Sequence, residues 1–308
     1  MSENILIRPM ERGDVPGCVD LIAALFSNRR PDGYFIWQLF ENVFPVVCFG
    51  AFADGRLVGM FAVQKRTMTD GRTAGQIISM NIHPGWAGRG LLKKISAPAL
   101  AAFDDLDFVC IFVHNEKSVG PGRAAFGLTF PEPLSSMELD ARGFVSATSL
   151  GAEEVTDVTA FPEAGSAHGA RLGLAATRGF RRWRFGRAPV YKYKKLTLDE
   201  NAFTIVKTVP MADGAGMYGD IVDLECDSED AEGAKVLLSG AVAFLAKSGA
   251  TQIATWATPG SVVRRTLEGL GFKPGFKSYF GFKALNGDAP GLDTLSSWHF
   301  RQGDAPKY

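Results

Sequence analysis

The chain has 308 residues, 33 Lys+Arg against 33 Asp+Glu, a net charge of +0 and a pI near 6.9, so neither nucleic acid nor an anionic membrane is an expected partner. Hydrophobic residues make up 46% and charged residues 21%, with a mean hydropathy of +0.03, which excludes a disordered chain. No apolar stretch approaches the roughly 20 residues of a membrane span, and MSENILIRPMERGD contains no apolar leader core, so a cytoplasmic protein of two domains is expected.

In chain order, Asn4–Arg8 alternates as a first strand, and Asp14 stands where it would cap a helix carrying Val15, Cys18, Val19, Ile22, Leu25 and Phe26 at helical spacing. Tyr34–Phe40 reads as a second, aromatic helix. Val46–Ala53 and Leu57–Gln64 flank Asp54-Gly55 as a hairpin, and Asp70-Gly71 leads into a further strand, Gly75–Ile82. A Gly-rich turn, Pro84–Gly90, then opens into a helix, Leu91–Phe103. The strand Phe108–Val113, a helix around Gly122–Leu128 and a strand near Met137–Leu139 follow. This order predicts an α/β layer with a mixed sheet. Cys18, Cys48, Cys110 and Cys226 have neither CxxC spacing nor a paired His, so they read as buried thiols rather than disulfides or a metal site.

Residues 146–172 carry no clear period and read as a linker or insertion. Beyond them the pattern restarts: Gly33-Tyr-Phe-Ile-Trp37 is echoed 146 positions on by Gly179-Phe-Arg-Arg-Trp183. The strand Gly219–Cys226, the helix Ala231–Lys247, the strand Gln252–Ala257 and the helix Val262–Leu270 then repeat the element order of the first half. A degenerate internal duplication is predicted, with domains at 1–145 and 173–308.

The segment with the clearest chemistry is Ser79-Met-Asn-Ile-His-Pro-Gly-Trp-Ala-Gly-Arg-Gly-Leu-Leu-Lys-Lys94. A strand, a Gly-rich turn and a helix start place unpaired N–H groups and a partial positive charge at one point, a receptor for a phosphate group. The spacing is neither Walker A nor the dinucleotide G-x-G-x-x-G. Ile82-His83-Pro84 followed by Gly88-Arg89-Gly90 resembles the V-H-P-x-x-R-G-x-G pattern of the GNAT acetyltransferase superfamily. Trp37…Asn42…Pro45, Asn115-Glu-Lys-Ser118, Trp183-Arg-Phe…Pro189…Tyr191 and Trp298…Asp304 resemble a bacterial tandem-GNAT group. The resemblance implies two GNAT-like mixed-sheet domains, the second degenerate.

It also implies an acetyl-CoA-dependent N-acetyltransferase acting on a small primary amine such as an amino sugar. Acetyl-CoA would lie between the strands ending at Ile82 and Val113, its pantetheine beside Met80 and Ile82. Its pyrophosphate would sit on the backbone of Ala87, Gly88, Arg89, Gly90, Leu91 and Leu92, with Asn115 touching the cofactor. Ala87 replaces the Arg or Gln that usually opens that loop. Gln76 stands near the position of a Glu or His base, and the Tyr that protonates the thiolate falls at Ala124 or Ala125, so the catalytic residues do not carry over. Candidate substitutes are His83, Glu41, Glu116, Tyr34 and the tail with the Tyr308 carboxylate. The alternative is a protein that binds acyl-CoA without turnover.

In the second half, Asp227-Ser-Glu-Asp-Ala-Glu232 stands where the Gly-rich turn would be, and its carboxylates would repel a pyrophosphate, so no CoA is expected there. Arg178, Arg181, Arg182, Arg184 and Arg187, interleaved with Phe180, Trp183 and Phe185, read either as a grip for an acidic substrate or as a helix with a solvated Arg face. His114, His168 and His299 share no metal-ligand spacing.

Overall fold

The structure is a computed structural model and describes residues 4–26, 30–143, 153–155, 158–162, 171–211, 214, 216–227, 229–286 and 291–306. Most of the 146–172 segment, with His168, and Tyr308 lie outside the described residues.

The first half runs β1 (Ile5–Pro9), α1 (Val15–Leu25), α2 (Asp32–Phe35), β2 (Val46–Ala53), β3 (Arg56–Thr67), β4 (Thr73–Ile82), α3 (Leu91–Ala101), β5 (Phe108–Val113), α4 (Val119–Phe126) and β6 (Leu134–Asp140). The remainder adds β7 (Glu153–Val155), α5 (Arg178–Arg181), β8 (Tyr193–Thr197), β9 (Phe203–Pro210), β10 (Met217–Glu225), α6 (Ala231–Lys247), β11 (Ala250–Thr255), α7 (Val262–Gly269) and β12 (Lys273–Ala284).

Local chemistry accounts for most of these limits. Asp54 and Gly55, at φ of 48° and 78°, make the two-residue turn of the β2–β3 hairpin, whose twist matches that of the strands. Residues Val15, Cys18, Val19 and Ile22 of α1 are buried at helical spacing as expected. Asp14 does not cap that helix with its side chain. Its carboxylate accepts two hydrogen bonds of 2.7 Å from Arg8 and one of 2.8 Å from Glu11 N, and the Arg8 guanidinium holds its pKa below the usual carboxylate range. The second predicted helix is α2 continued by a π-turn, Ile36–Phe40, with Tyr34, Phe35, Trp37 and Leu39 buried. The same pair recurs 146 residues later as α5 and the π-turn Arg182–Gly186, so the predicted duplication is visible in backbone geometry.

The chain forms two compact units, Met1–Phe130 with Phe280–Ala289, and Pro131–Tyr279 with Pro290–Tyr308. This grouping differs from the expected 1–145 and 173–308 division. In the first unit the sheet order is β1-β2-β3-β4-β5 and then the end of β12, where Phe282 bridges Thr129 and the Phe280 ring lies 5.1 Å from Phe112. In the second unit the order is the start of β12, then β6-β11-β10-β9-β8-β7. β6, expected to close the first half, pairs antiparallel with β11 and β12. Its Met137 is buried with Leu238, Val242, Ile253 and Leu267. The two prolines at Pro131 and Pro133 donate no ladder hydrogen bond, so the chain leaves the first unit there. Part of the expected linker is structured, since β7 pairs with β8 and Phe161 packs on Phe185 and Phe203.

All four thiols are free and buried. Burial pushes Cys18 and Cys226 up to about 12 and Cys48 upward as well. A thiol-specific disulfide reagent at pH 8 should find no reactive cysteine in the native protein and four after unfolding, because the thiolate is the nucleophile.

Candidate active site

In the first unit β4 and β5 run parallel with Ala74 opposite Phe108 and Ile77 opposite Ile111, and there the pairing ends. β4 continues to Ile82 and β5 to Val113, so the two strands part. On its other edge β4 pairs Ile77 with Val63 and Ser79 with Ala62, leaving Ile78 as the extra residue of a bulge. A bulge strengthens local twist and turns the strand end away from its neighbour. Met80 and Ile82 lie on the parted stretch and pair with Phe61 and Gly59 of β3.

Beyond Ile82, His83 N bonds Val58 O at 2.9 Å, and Pro84–Trp86 form a 3-10 turn. Gly88 and Gly90 have φ of 76° and 71°, a conformation that side chains resist. A Cβ on either would meet nothing within 4 Å, so this space is open above the backbone. Gly90 is the N-cap of α3 and offers no side chain to cap it, and the first turn holds no acid. Among the described residues no hydrogen bond is made by the N–H groups of Gly88, Gly90, Leu91 and Leu92. Leu91 is buried, fixing the helix start, while Lys93 and Lys94 are exposed in the first turn. Cations there oppose the macrodipole until an anion arrives. The Ala87 N–H differs from these, donating to Pro84 O at 3.2 Å. The Arg89 guanidinium lies 4.5 Å from the Trp86 ring centre.

No protein-family model matches the sequence, and no curated protein matches it. Solved structures do match. A tandem GNAT protein from the clavulanic acid biosynthesis pathway, without AcCoA, is 16% identical with a TM-score of 0.63, over 93% of this chain and 100% of its own. A putative acetyltransferase from Pyrococcus horikoshii is 14% identical with a TM-score of 0.63, over 96% of this chain and 94% of its own. The GCN5-related glucosamine N-acetyltransferase region of a fungal multi-domain GH3 β-N-acetylglucosaminidase is 12% identical with a TM-score of 0.62, over 92% of this chain and 38% of that one.

The chain has the tandem GNAT fold.

Within this GNAT fold, Asn115 sits just past β5, exposed, and its Oδ1 accepts from Ser118 N and Ser118 Oγ at 3.0 Å each. That oxygen caps the turn into α4. His83 Nδ1 accepts from Gly85 N at 3.2 Å. That ring nitrogen is engaged by the turn's own backbone. Glu41 is exposed in an ion pair with Arg12, Glu116 is exposed beyond β5, and Tyr34 is buried edge-on to Phe35. Gln76 is 0% exposed, and its Oε1 accepts from Gln64 Nε2 at 2.7 Å and Arg66 Nη1 at 3.2 Å. Asn42 Nδ2 extends the chain to Gln64 Oε1 at 2.9 Å. These donors occupy the Gln76 carbonyl oxygen. Ala124 and Ala125 supply no hydroxyl on α4.

The second unit of the GNAT fold repeats the frame with other chemistry. β10 and β11 pair as far as Ile221 and Thr255, and Val222 is the bulged residue against β9. Counting from the bulges, Gln76 and Gln64 correspond to Asp220 and Lys207, a buried ion pair of 3.0 Å. At the start of α6, Asp230 Oδ1 takes Gly233 N at 2.9 Å and Asp227 Oδ1 takes Glu229 N at 3.0 Å. The acidic residues thus occupy donors that a phosphate would need.

The Arg-rich run is the largest correction. Phe180 and Trp183 are buried, but Arg181 and Arg184 are buried too. Arg181 binds Asp223 at 2.8 Å and also Glu225, and Arg184 donates to Gly303 O and Ala305 O at 3.1 and 3.0 Å. These two guanidiniums hold the second unit's own β10 and tail rather than an acidic substrate.

Proposed function

We propose that the protein is an acetyl-CoA-dependent N-acetyltransferase with one co-substrate site, in the first unit, acting on a small primary amine. The observation that carries this reading is the opening between β4 and β5, which leads from unpaired strand edge onto an uncapped helix start at two left-handed glycines. The edge suits the amides of pantetheine. Gly88, Gly90, Leu91 and Leu92 present donors to the pyrophosphate, and the exposed Lys93 and Lys94 add attraction.

With the thioester between the strands, an uncharged amine attacks the carbonyl carbon; the C–N bond forms and the C–S bond breaks. A β4 N–H near the bulge polarises the carbonyl oxygen as charge develops on it. Gln76 is an amide and takes no proton, so the amine loses its proton to water, and the thiolate is reprotonated by solvent. Positioning then supplies most of the acceleration. An amino sugar is the preferred acceptor, in keeping with the glucosamine N-acetyltransferase region among the similar structures. The acidic caps of α6 support a second unit that takes no CoA.

The sealed Gln76 and the missing α4 hydroxyl favour one rival, an acyl-CoA-binding protein without turnover. Calorimetric titration with acetyl-CoA tests the common part: one site per chain is expected, and no binding sinks both readings. Release of CoA thiol with a panel of amino sugars and other primary amines separates the two, since only the enzyme turns over.

A further inference from the structure

The second unit holds a pocket that the proposed reaction does not use. Its tail folds back over the open end of the β10–β11 pairing. Trp298 O accepts from Thr258 Oγ1 at 2.8 Å, and Phe300 N donates to the same hydroxyl at 3.3 Å. Gly303 allows the close approach, because a Cβ there would lie 2.8 Å from Phe185 Cζ and 3.1 Å from Val222 O. Between tail, strands and the start of α7 remains a cavity of about 50 Å³. At roughly 10–15 Å³ per water position, it suits a molecule of a few heavy atoms and is far too small for CoA.

Its polar groups are arranged in two sets. Ser261 Oγ caps α7 by accepting from Arg264 N at 3.1 Å, which leaves the N–H groups of Val262 and Val263, both lining the cavity, without a hydrogen bond among the described residues. Arg171 and His299 line it as well, so this set favours an anionic group. Gln302, from the tail, is 1% exposed, and its Oε1 has no hydrogen-bond partner among the described residues. A buried acceptor in that state calls for a donor. Asp223 also lines the cavity, its carboxylate held by Arg181 at 2.8 Å.

We infer that this cavity binds a small carboxylate with a hydrogen-bond donor on the neighbouring carbon, an α-amino or α-hydroxy acid. The carboxylate rests on the α7 N–H groups and the donor faces Gln302. The inference does not depend on the proposed acetyl transfer, and its readouts are separate from acetyl-CoA binding.

The test uses the full chain with L-alanine and L-lactate as probes, and acetate and ethylamine as controls that lack the donor or the carboxylate. At saturation L-alanine or L-lactate should raise Tm by at least about 3 °C, and neither control should. Gln302→Leu removes the acceptor. Val262→Pro removes one donor while keeping the helix, because proline is favoured at the first helical position and Ser261, at φ −75° and ψ 160°, already has the conformation that a following proline requires. Each variant should raise the calorimetric Kd at least about 10-fold, a loss of 1.4 kcal/mol. Should Gln302→Leu fail to fold, Val262→Pro carries the test alone. The inference is overturned by no binding of either acid, by acetate binding as well as lactate, or by unchanged affinity in a folded variant.

Discussion

Gly90→Asp is expected to weaken acetyl-CoA binding at least about 100-fold, or 2.7 kcal/mol, in a protein that still folds. Gly90 has a φ of 71°, so any side chain there adds backbone strain of about 1–2 kcal/mol. A Cβ meets nothing within 4 Å, so no packing clash is added. The larger effect is electrostatic. A carboxylate at the N-cap accepts the N–H groups that the pyrophosphate would use and places a negative charge beside it. Like charges about 4 Å apart at an effective dielectric of 20 repel by about 4 kcal/mol, so 100-fold is a lower bound. The second unit already displays this arrangement, with Asp230 taking Gly233 N at 2.9 Å. Gly90→Ala separates the causes, since it shares the strain without the charge, and its affinity should fall far less. Calorimetry with acetyl-CoA measures both, and a thermal melt confirms folding. Binding within about 3-fold of the unaltered protein would place the co-substrate elsewhere, because that change is under 0.7 kcal/mol.

The parts of this molecule legible in the sequence were those set by short-range patterns. The Asp54-Gly55 hairpin, the buried face of α1, the strand–glycine–helix join at Ile82–Leu91 and the repeat of the aromatic π-turn 146 residues on all depend on neighbours within a few positions. What remained hidden depended on long-range pairing. β8, β9 and β12 were not anticipated, and β6 was assigned to the wrong unit, because its amino acids say only that Met137 faces a core and not which core. The burial of Arg181 was equally invisible. Its partners Asp223 and Glu225 stand more than 40 residues away on β10, so the run looked like a solvated cationic face. At the site, the left-handed glycines and the helix start at Gly90 were readable. The sealing of Gln76 by Gln64 and Arg66 was not, since side chains one strand apart carry no sequence mark of their contact.

Arg181→Met should produce the largest loss of stability in the second unit. The guanidinium is 0% exposed and neutralises Asp223 and Glu225, themselves 3% and 0% exposed, while lying 5.0 Å from the Phe203 ring. Methionine restores much of the apolar stem but no charge, which takes the Arg181 guanidinium from both Asp223 and Glu225 and leaves Arg301 4.0 Å from Asp223. Breaking one side of a buried ion pair costs about 3–5 kcal/mol, and at about 2–4 °C per kcal/mol the melting transition should fall by roughly 6–20 °C. The pH dependence identifies the cause. A buried carboxylate that has lost its cation is relieved by taking up a proton, so a penalty due to charge shrinks as pH falls. The gap in Tm between variant and parent should therefore be wide at pH 7 and narrower at pH 5. Adding Asp223→Asn and Glu225→Gln to Arg181→Met should recover part of the loss at pH 7, because uncharged amides are cheaper to bury than unpaired carboxylates. Lost packing against Phe203 alone would give a gap that does not move with pH and a triple variant no more stable than the single one. Either result would remove charge as the reason this arginine is buried.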